Sequence, residues 1–303
     1  MASGPDNLLA AIEAGGTKFV CAIGHGPGNV LRSTRIATRG PDQTLAEVAE
    51  FLGDAIGEFG ALSGLGIATF GPIRLDPAAS DFGRLLASTK PGWDGADLAG
   101  PLVQAAACPV ALETDVNGAA LAEARLGAGA GCDPVAYVTV GTGIGVGLVA
   151  RGLPVHGLMH PEGGHLYPRR HPADLGFTGI CPYHGDCCEG LASGPAIAAR
   201  SGIRAEDMAP DHPDWAIVAD VLGQLCASLV FTLSPQRIVL GGGVMTGGAL
   251  LPAIRERTLR DLAGFVPPLA SPGAMDALIV APVLDNPGLA GAFVLAGRAA
   301  AQG

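Results

Sequence analysis

Four side chains in one stretch could hold a metal ion: His165, Cys181, His184 and Cys187, in the pattern H-x15-C-x2-H-x2-C. Three of the seven cysteines, Cys181, Cys187 and Cys188, fall within eight residues. Zinc takes four thiolate or imidazole ligands in a tetrahedron, and a short Cys/His knot plus one distant His supplies them. The loop between them is full of Pro, Arg, Gly and Asp, so it cannot pack a core of its own. A metal clip over residues 160–188 would give it a fixed shape. Buried thiols beside exposed histidines are the alternative.

Glu13-Ala14-Gly15-Gly16-Thr17-Lys18 is a second candidate. A glycine-rich turn lets backbone N–H groups of Gly15 and Gly16 face phosphate oxygens. Thr17 adds a hydroxyl, Lys18 a positive charge, and Glu13 a carboxylate able to hold Mg²⁺ through water. Gly141-Thr142-Gly143-Ile144-Gly145 repeats the theme in the second half of the chain. Either turn alone reads as a simple hairpin; the pair points to a polyphosphate gripped from both sides. Asp115, in Thr114-Asp115-Val116-Asn117, falls between a strand and a helix, where ligands of open α/β sheets gather. A carboxylate there can take the proton of an attacking hydroxyl, or it can cap the helix. Gly241-Gly242-Gly243-Val244-Met245 follows a strand and would let a nucleotide base or ribose approach the backbone.

The elements that must position these residues follow from periodicity. The sequence predicts a hairpin of strands over 8–13 and 19–24, a third strand over 30–37, and an amphipathic helix over 44–59. Strands are predicted over 65–70 and 110–113, then an Ala-rich helix over 118–126. A second hairpin spans 135–140 and 144–150. Helices over 189–200 and 215–233, a strand over 237–240, a strand over 278–283 and a helix over 287–301 complete the chain. Two hairpins with Gly-Thr turns, each followed by alternating strands and helices, predict a duplicated α/β domain with a cleft between the copies. The expected domains are 1–116 and 117–303, the latter carrying the 160–188 loop, with the last helix packing back on the former.

Composition narrows the function. Of 303 residues 49% are hydrophobic and 15% charged, the balance of a core-rich globular protein. The longest apolar runs are broken by glycine and threonine, so no membrane span is expected, and no secretory signal is read. Scattered cysteines fit reduced thiols in a cytoplasmic protein. A net charge of −10 without a basic stripe argues against a nucleic-acid partner.

Taken in order, 13–22 (EAGGTKFVCA), 114–117 (TDVN), 141–145 (GTGIG), 160–165 (HPEGGH), 181–187 (CPYHGDC) and 241–245 (GGGVM) resemble the ROK family of sugar kinases, and within it the fructokinase branch. The resemblance runs from about residue 9 to residue 300. It implies the actin-like ATPase (ribonuclease H-like) fold and ATP-dependent phosphorylation of a hexose, D-fructose to fructose 6-phosphate. Asp115 would be the general base. Gly15, Gly16, Thr17, Lys18, Thr142, Gly143, Pro195 and Gly241, Gly242, Gly243, Val244 and Met245 would contact ATP. Gly71, Pro72, Thr114, Asp115, Glu162, His165 and Glu189 would lie on the sugar side, as would the 87–93 fragment. His165, Cys181, His184 and Cys187 would hold a structural Zn²⁺, with Mg²⁺ accompanying the nucleotide. Most of the family has Asp at Glu13, Asn at Thr114 and Cys at His184, so the resemblance does not extend to glucose specificity. A broad hexokinase, mannokinase or N-acylhexosamine kinase, or a non-catalytic sugar sensor, are the alternatives. The expected assembly is a homodimer, the commonest closed arrangement.

Overall fold

Apolar alternation builds the same five-stranded sheet twice. In a computed structural model, which describes residues 7–302 apart from Ala87 and Thr89, the chain divides into two units. The first is Met1–Ala122, His156–His160 and Leu284–Gly303; the second is Glu123–Val155 and Pro161–Val283. The division falls at Ala122, inside a helix, and not at residue 117.

In the first unit β1 (Leu9–Ala14), β2 (Lys18–Gly26) and β3 (Asn29–Ala37) form an antiparallel meander, and β4 (Gly64–Thr69) and β5 (Val110–Thr114) extend it in parallel on the β1 side. Every residue of β4 is buried, as expected of a parallel strand covered on both faces. α1 (Pro41–Phe59) opens with Pro in its first turn and buries Leu45, Val48, Phe51 and Leu52, the apolar stripe that the spacing predicts. α2 (Ala99–Ala106) has no counterpart in the predicted elements. α3 (Asp115–Leu126) starts three residues earlier than its Ala-rich run suggests, so Asp115 stands in its first turn.

The second unit repeats the order. β6 (Val135–Val140), β7 (Ile144–Ala150) and β8 (Leu153–Pro154) form the meander, and β9 (Arg237–Gly241) and β10 (Ile279–Val280) add in parallel. The predicted 278–283 strand is reduced to two residues: Leu278 ends the preceding helix, Pro272–Leu278, and the chain leaves the sheet after Val280. The predicted 189–200 helix is two: α4 (Cys188–Ala192) and α5 (Gly194–Ser201). Ser193 is extended between them and its hydroxyl accepts from the Ala196 N–H (3.3 Å), while Pro195 begins a fresh turn. α6 (Asp214–Leu233), α7 (Leu251–Leu262) and α8 (Pro272–Leu278) follow, the last two unpredicted. Contrary to expectation, α6 is long and apolar enough to cross a membrane, yet most of it is buried in this unit's core. α9 (Pro287–Ala300) belongs to the first unit, where it packs on β1, β4 and β5.

Candidate functional site

The β1–β2 turn presents its backbone. The Gly15 N–H donates to the Lys18 carbonyl (3.0 Å) and the Thr38 hydroxyl to the Gly15 carbonyl (2.7 Å), which fixes the loop while Gly16, Thr17 and Lys18 stay exposed. The Lys90 ammonium donates to the Gly16 carbonyl, so a second cation reaches this turn. Of the 87–93 fragment, Ala87 and Thr89 lie outside the described residues. Trp93 is wholly buried against Phe19 and Phe70 in the core of this unit. Glu13, just before the turn, is raised above its ordinary value by burial, against a hydrogen bond from Asn286 and the charge of Lys18.

Asp115 is half-buried at the carboxyl end of β5 and its Oδ1 accepts from the Val116 N–H (2.8 Å). The neighbouring Thr114 hydroxyl accepts from the Asn117 N–H (3.2 Å), which makes Thr114 the cap of α3. Gly71 lies against the His160 ring: a Cβ there would come within 3.3 Å of it. The Ile73 N–H, next after Pro72, donates to His160 Nε2 (3.2 Å). Sequence reasoning missed Glu113, a buried carboxylate joined to His156 and Asn117, because its partner is 43 residues away.

In the second unit the nucleotide-side candidates cluster. The Gly194 N–H donates to the Gly141 carbonyl (2.8 Å), and a Cβ on Gly194 would meet both that oxygen and Val244. Thr142, Pro195, Gly242 and Gly243 are exposed around this contact, whereas Met245 is buried in the core. Gly242 has φ +92°, and a Cβ on it would lie 2.4 Å from the Val140 carbonyl oxygen, so only glycine fits. Glu189 bridges two candidate groups: its Oε2 accepts from the Ile144 N–H (3.0 Å) at the end of the Gly141–Gly143 turn. Glu162 is exposed and its carbonyl accepts from the His165 N–H (3.0 Å), opening the short helical turn Gly163–His165.

His165, Cys181, His184 and Cys187 converge, all four ligand atoms lying within 4.8 Å of one another. His165 Nδ1 is 3.5 Å from Cys187 Sγ and 3.8 Å from Cys181 Sγ; His184 Nδ1 is 3.6 Å from Cys181 Sγ. Cys188 belongs to the hydrophobic core instead, where burial pushes its thiol up to about 12. The loop is held from outside by the buried Asp174, which pairs with Arg200 through both oxygens (2.8 and 3.2 Å). Arg170 braces it again, bonding Asp186 (3.0 Å) and the carbonyls of Asp174 and Phe177. This bracing carries no signal in the spacing of the ligands.

Residues 9–299 match the ROK family. The chain belongs to that family. A fructokinase from Zymomonas mobilis is 42% identical over 294 residues, 95% of this chain and 96% of that protein. Among solved structures, the ROK hexokinase from Thermus thermophilus is similar at TM-score 0.78 and 27% identity, over 98% of this chain and all of that one. A ROK family glucokinase from Streptomyces griseus, solved with glucose and AMPPNP, is similar at TM-score 0.75 and 25% identity, over 96% and 100% of the two chains. The duplicated sheets are those of the actin-like ATPase fold that these ROK kinases share.

Proposed function

We propose that this ATP-dependent ROK sugar kinase phosphorylates D-fructose at its 6-hydroxyl. The 42% identity to the Zymomonas mobilis fructokinase across nearly the whole chain carries that choice, against 25–27% for the hexokinase and glucokinase structures. Glu13, Thr114 and His184, the departures from the wider family, support it.

Asp115 orients the sugar hydroxyl and takes its proton as that oxygen bonds to the γ-phosphorus. The bond from the γ-phosphorus to its bridging oxygen breaks and ADP leaves. In a loose transition state, alignment of the attacking oxygen matters more than raw basicity. The exposed N–H groups of Gly16 and Thr17, with Lys18, bind phosphate oxygens; Thr142 and Gly143 do so from the second unit. Gly241 to Val244, with Pro195, receive the nucleoside, and the buried Met245 supports them from below. Glu162, His165 and Glu189 hold sugar hydroxyls beside Gly71, Pro72 and Thr114. Mg²⁺ neutralises the polyphosphate when bound, and Glu13 is the carboxylate placed to hold it through water.

The Cys/His cluster fits zinc. With Zn–S of about 2.3 Å and Zn–N of about 2.0–2.1 Å in a tetrahedron, S···N separations come to about 3.6 Å. The three separations here run from 3.5 to 3.8 Å. Four protein ligands close the shell, so the metal's contribution is structural, fixing the 160–188 loop. His165 would bind it through Nδ1, which leaves Nε2 for the sugar. The need for ATP and for reduced thiols supports a cytoplasmic site of action, and a homodimer is the assembly inferred.

A coupled assay of ADP release against a panel of hexoses tests this. Fructose should exceed glucose, mannose and N-acylhexosamines in kcat/KM by at least about tenfold, the scale of one or two pocket contacts. Equal rates across the panel would instead mark a broad hexokinase, and no ADP release with any sugar a sensor.

A further inference from the structure

A buried carboxylate outside the sites above straddles the residue on which the mechanism turns. Glu113 is 5% exposed and sits on β5, two residues before Asp115. Its Oε1 lies 2.8 Å from His156 Nε2, and its Oε2 accepts from Asn117 Nδ2 at 2.9 Å. Asn117, itself 1% exposed, stands in the first turn of α3, two residues after Asp115. One carboxylate therefore ties the last turn of strand to the first turn of helix on either side of Asp115. An unpaired buried carboxylate is costly, so the two donors also make the Glu113 position tenable.

The histidine arrives from far along the chain. His156–His160 is a five-residue excursion that belongs to the first unit, while Val155 and Pro161 on its flanks belong to the second. A histidine fastens each end: His156 to Glu113, and His160, through Nε2, to the Ile73 N–H beside Gly71 and Pro72. The hydrogen bond that His156 donates to Glu113 raises the imidazole pKa above its ordinary value, against the effect of burial.

We propose that Glu113 and His156 are positioning residues for phosphoryl transfer, holding the β5–α3 junction so that Asp115 meets the sugar hydroxyl in line. The inference rests on Asp115 as the base. Neither side chain needs to touch substrate; the effect passes through the backbone of residues 113–117. Small displacements of a reacting group cost large factors in rate, which is why a bracket two residues away matters.

Steady-state kinetics with fructose and ATP on the full chain decide it. His156→Ala should lower kcat about tenfold with KM for ATP unchanged, and His156→Gln, whose amide nitrogen reaches where Nε2 was, should recover most of the loss. In an Asp115→Asn background, His156→Ala should cost nothing further, because residues acting through one another are not additive. Melting temperatures within about 2 °C of the parent separate positioning from unfolding. If Glu113→Ala fails to fold, Glu113→Gln keeps the hydrogen-bonding shape and should retain activity close to His156→Gln. The same factor lost in both backgrounds, no loss at all, or a loss that follows melting temperature without rescue, would overturn the proposal. A dead Asp115→Asn beside a fully active His156→Ala sinks the pair alone. A fully active Asp115→Asn removes the base and the pair together.

Discussion

The base role proposed for Asp115 rests on where one strand stops. β5 ends at Thr114, whose hydroxyl caps α3, so the next carboxylate is released from capping duty and stays half-buried at the carboxyl end of a parallel strand. Asp115→Asn keeps the volume and removes the basic oxygen pair. Turnover should fall by about two to four powers of ten with little change in fructose KM, the scale of a positioned base. Initial-rate measurements check it, and a variant within threefold of the parent would contradict the role. The residues at this scale were unevenly legible. Asp115, the glycine turns and the Cys181–Cys187 knot stand out as residue types at short spacing, with His165 sixteen residues before Cys181 as their distant member. Glu113, His156, Asp174 and Arg200 do not: each acquires its meaning from a partner brought close only by folding, across 43 residues in one case and 26 in the other. Lys90, expected on the sugar side with the 87–93 fragment, reaches the Gly16 carbonyl from 74 residues away, a contact that spacing does not reveal.

At the scale of elements, the Cys181–Cys187 loop sets what the proposed metal would have to do. Cys181 and Gly185 exchange backbone hydrogen bonds (2.9 and 3.2 Å), and Cys187 Sγ accepts from the Gly190 N–H as the cap of α4. Burial pushes the Cys187 thiol above its ordinary value, so binding of the proposed metal would have to release its proton. Purified protein should carry close to one zinc per chain by elemental analysis. Cys181→Ser should lose it and melt several degrees lower, with His165→Ala as the second arm. Protein free of zinc without prior chelation would contradict the assignment. The four donor residues that converge there were readable from spacing, but the bracing of the loop was not. Hairpins and long helices were legible because alternation and 3.6-residue periodicity are local. α2, α7 and α8 escaped because they are short or charged, and the 189–200 helix broke at Ser193 because a good N-cap beside a proline outweighs helical periodicity.

At the scale of the whole molecule, the order of the chain and its division into units differ. The first unit is assembled from three segments, and its sheet is covered by α9, the last helix of the sequence. That contact is close: a Cβ on Gly66 would lie 1.9 Å from the Ala292 carbonyl oxygen, and one on Gly291 would lie 2.1 Å from the Gly118 carbonyl oxygen. Phe293 is buried at 2% exposure, with Ala290, Ala292, Leu295, Ala296 and Ala299. A fragment ending at Ala122 therefore exposes the faces of β1, β4 and β5 that α9 covers, an apolar surface too large to leave in water. Such a fragment should show no cooperative thermal transition by circular dichroism. Adding a peptide of residues 284–303 should restore one in a concentration-dependent manner, since a partner that binds only the folded state stabilises it by mass action. A fragment of residues 1–122 that melts cooperatively by itself would mean that α9 merely decorates a sheet already stable, and that the folding of the first unit need not wait for the end of the chain.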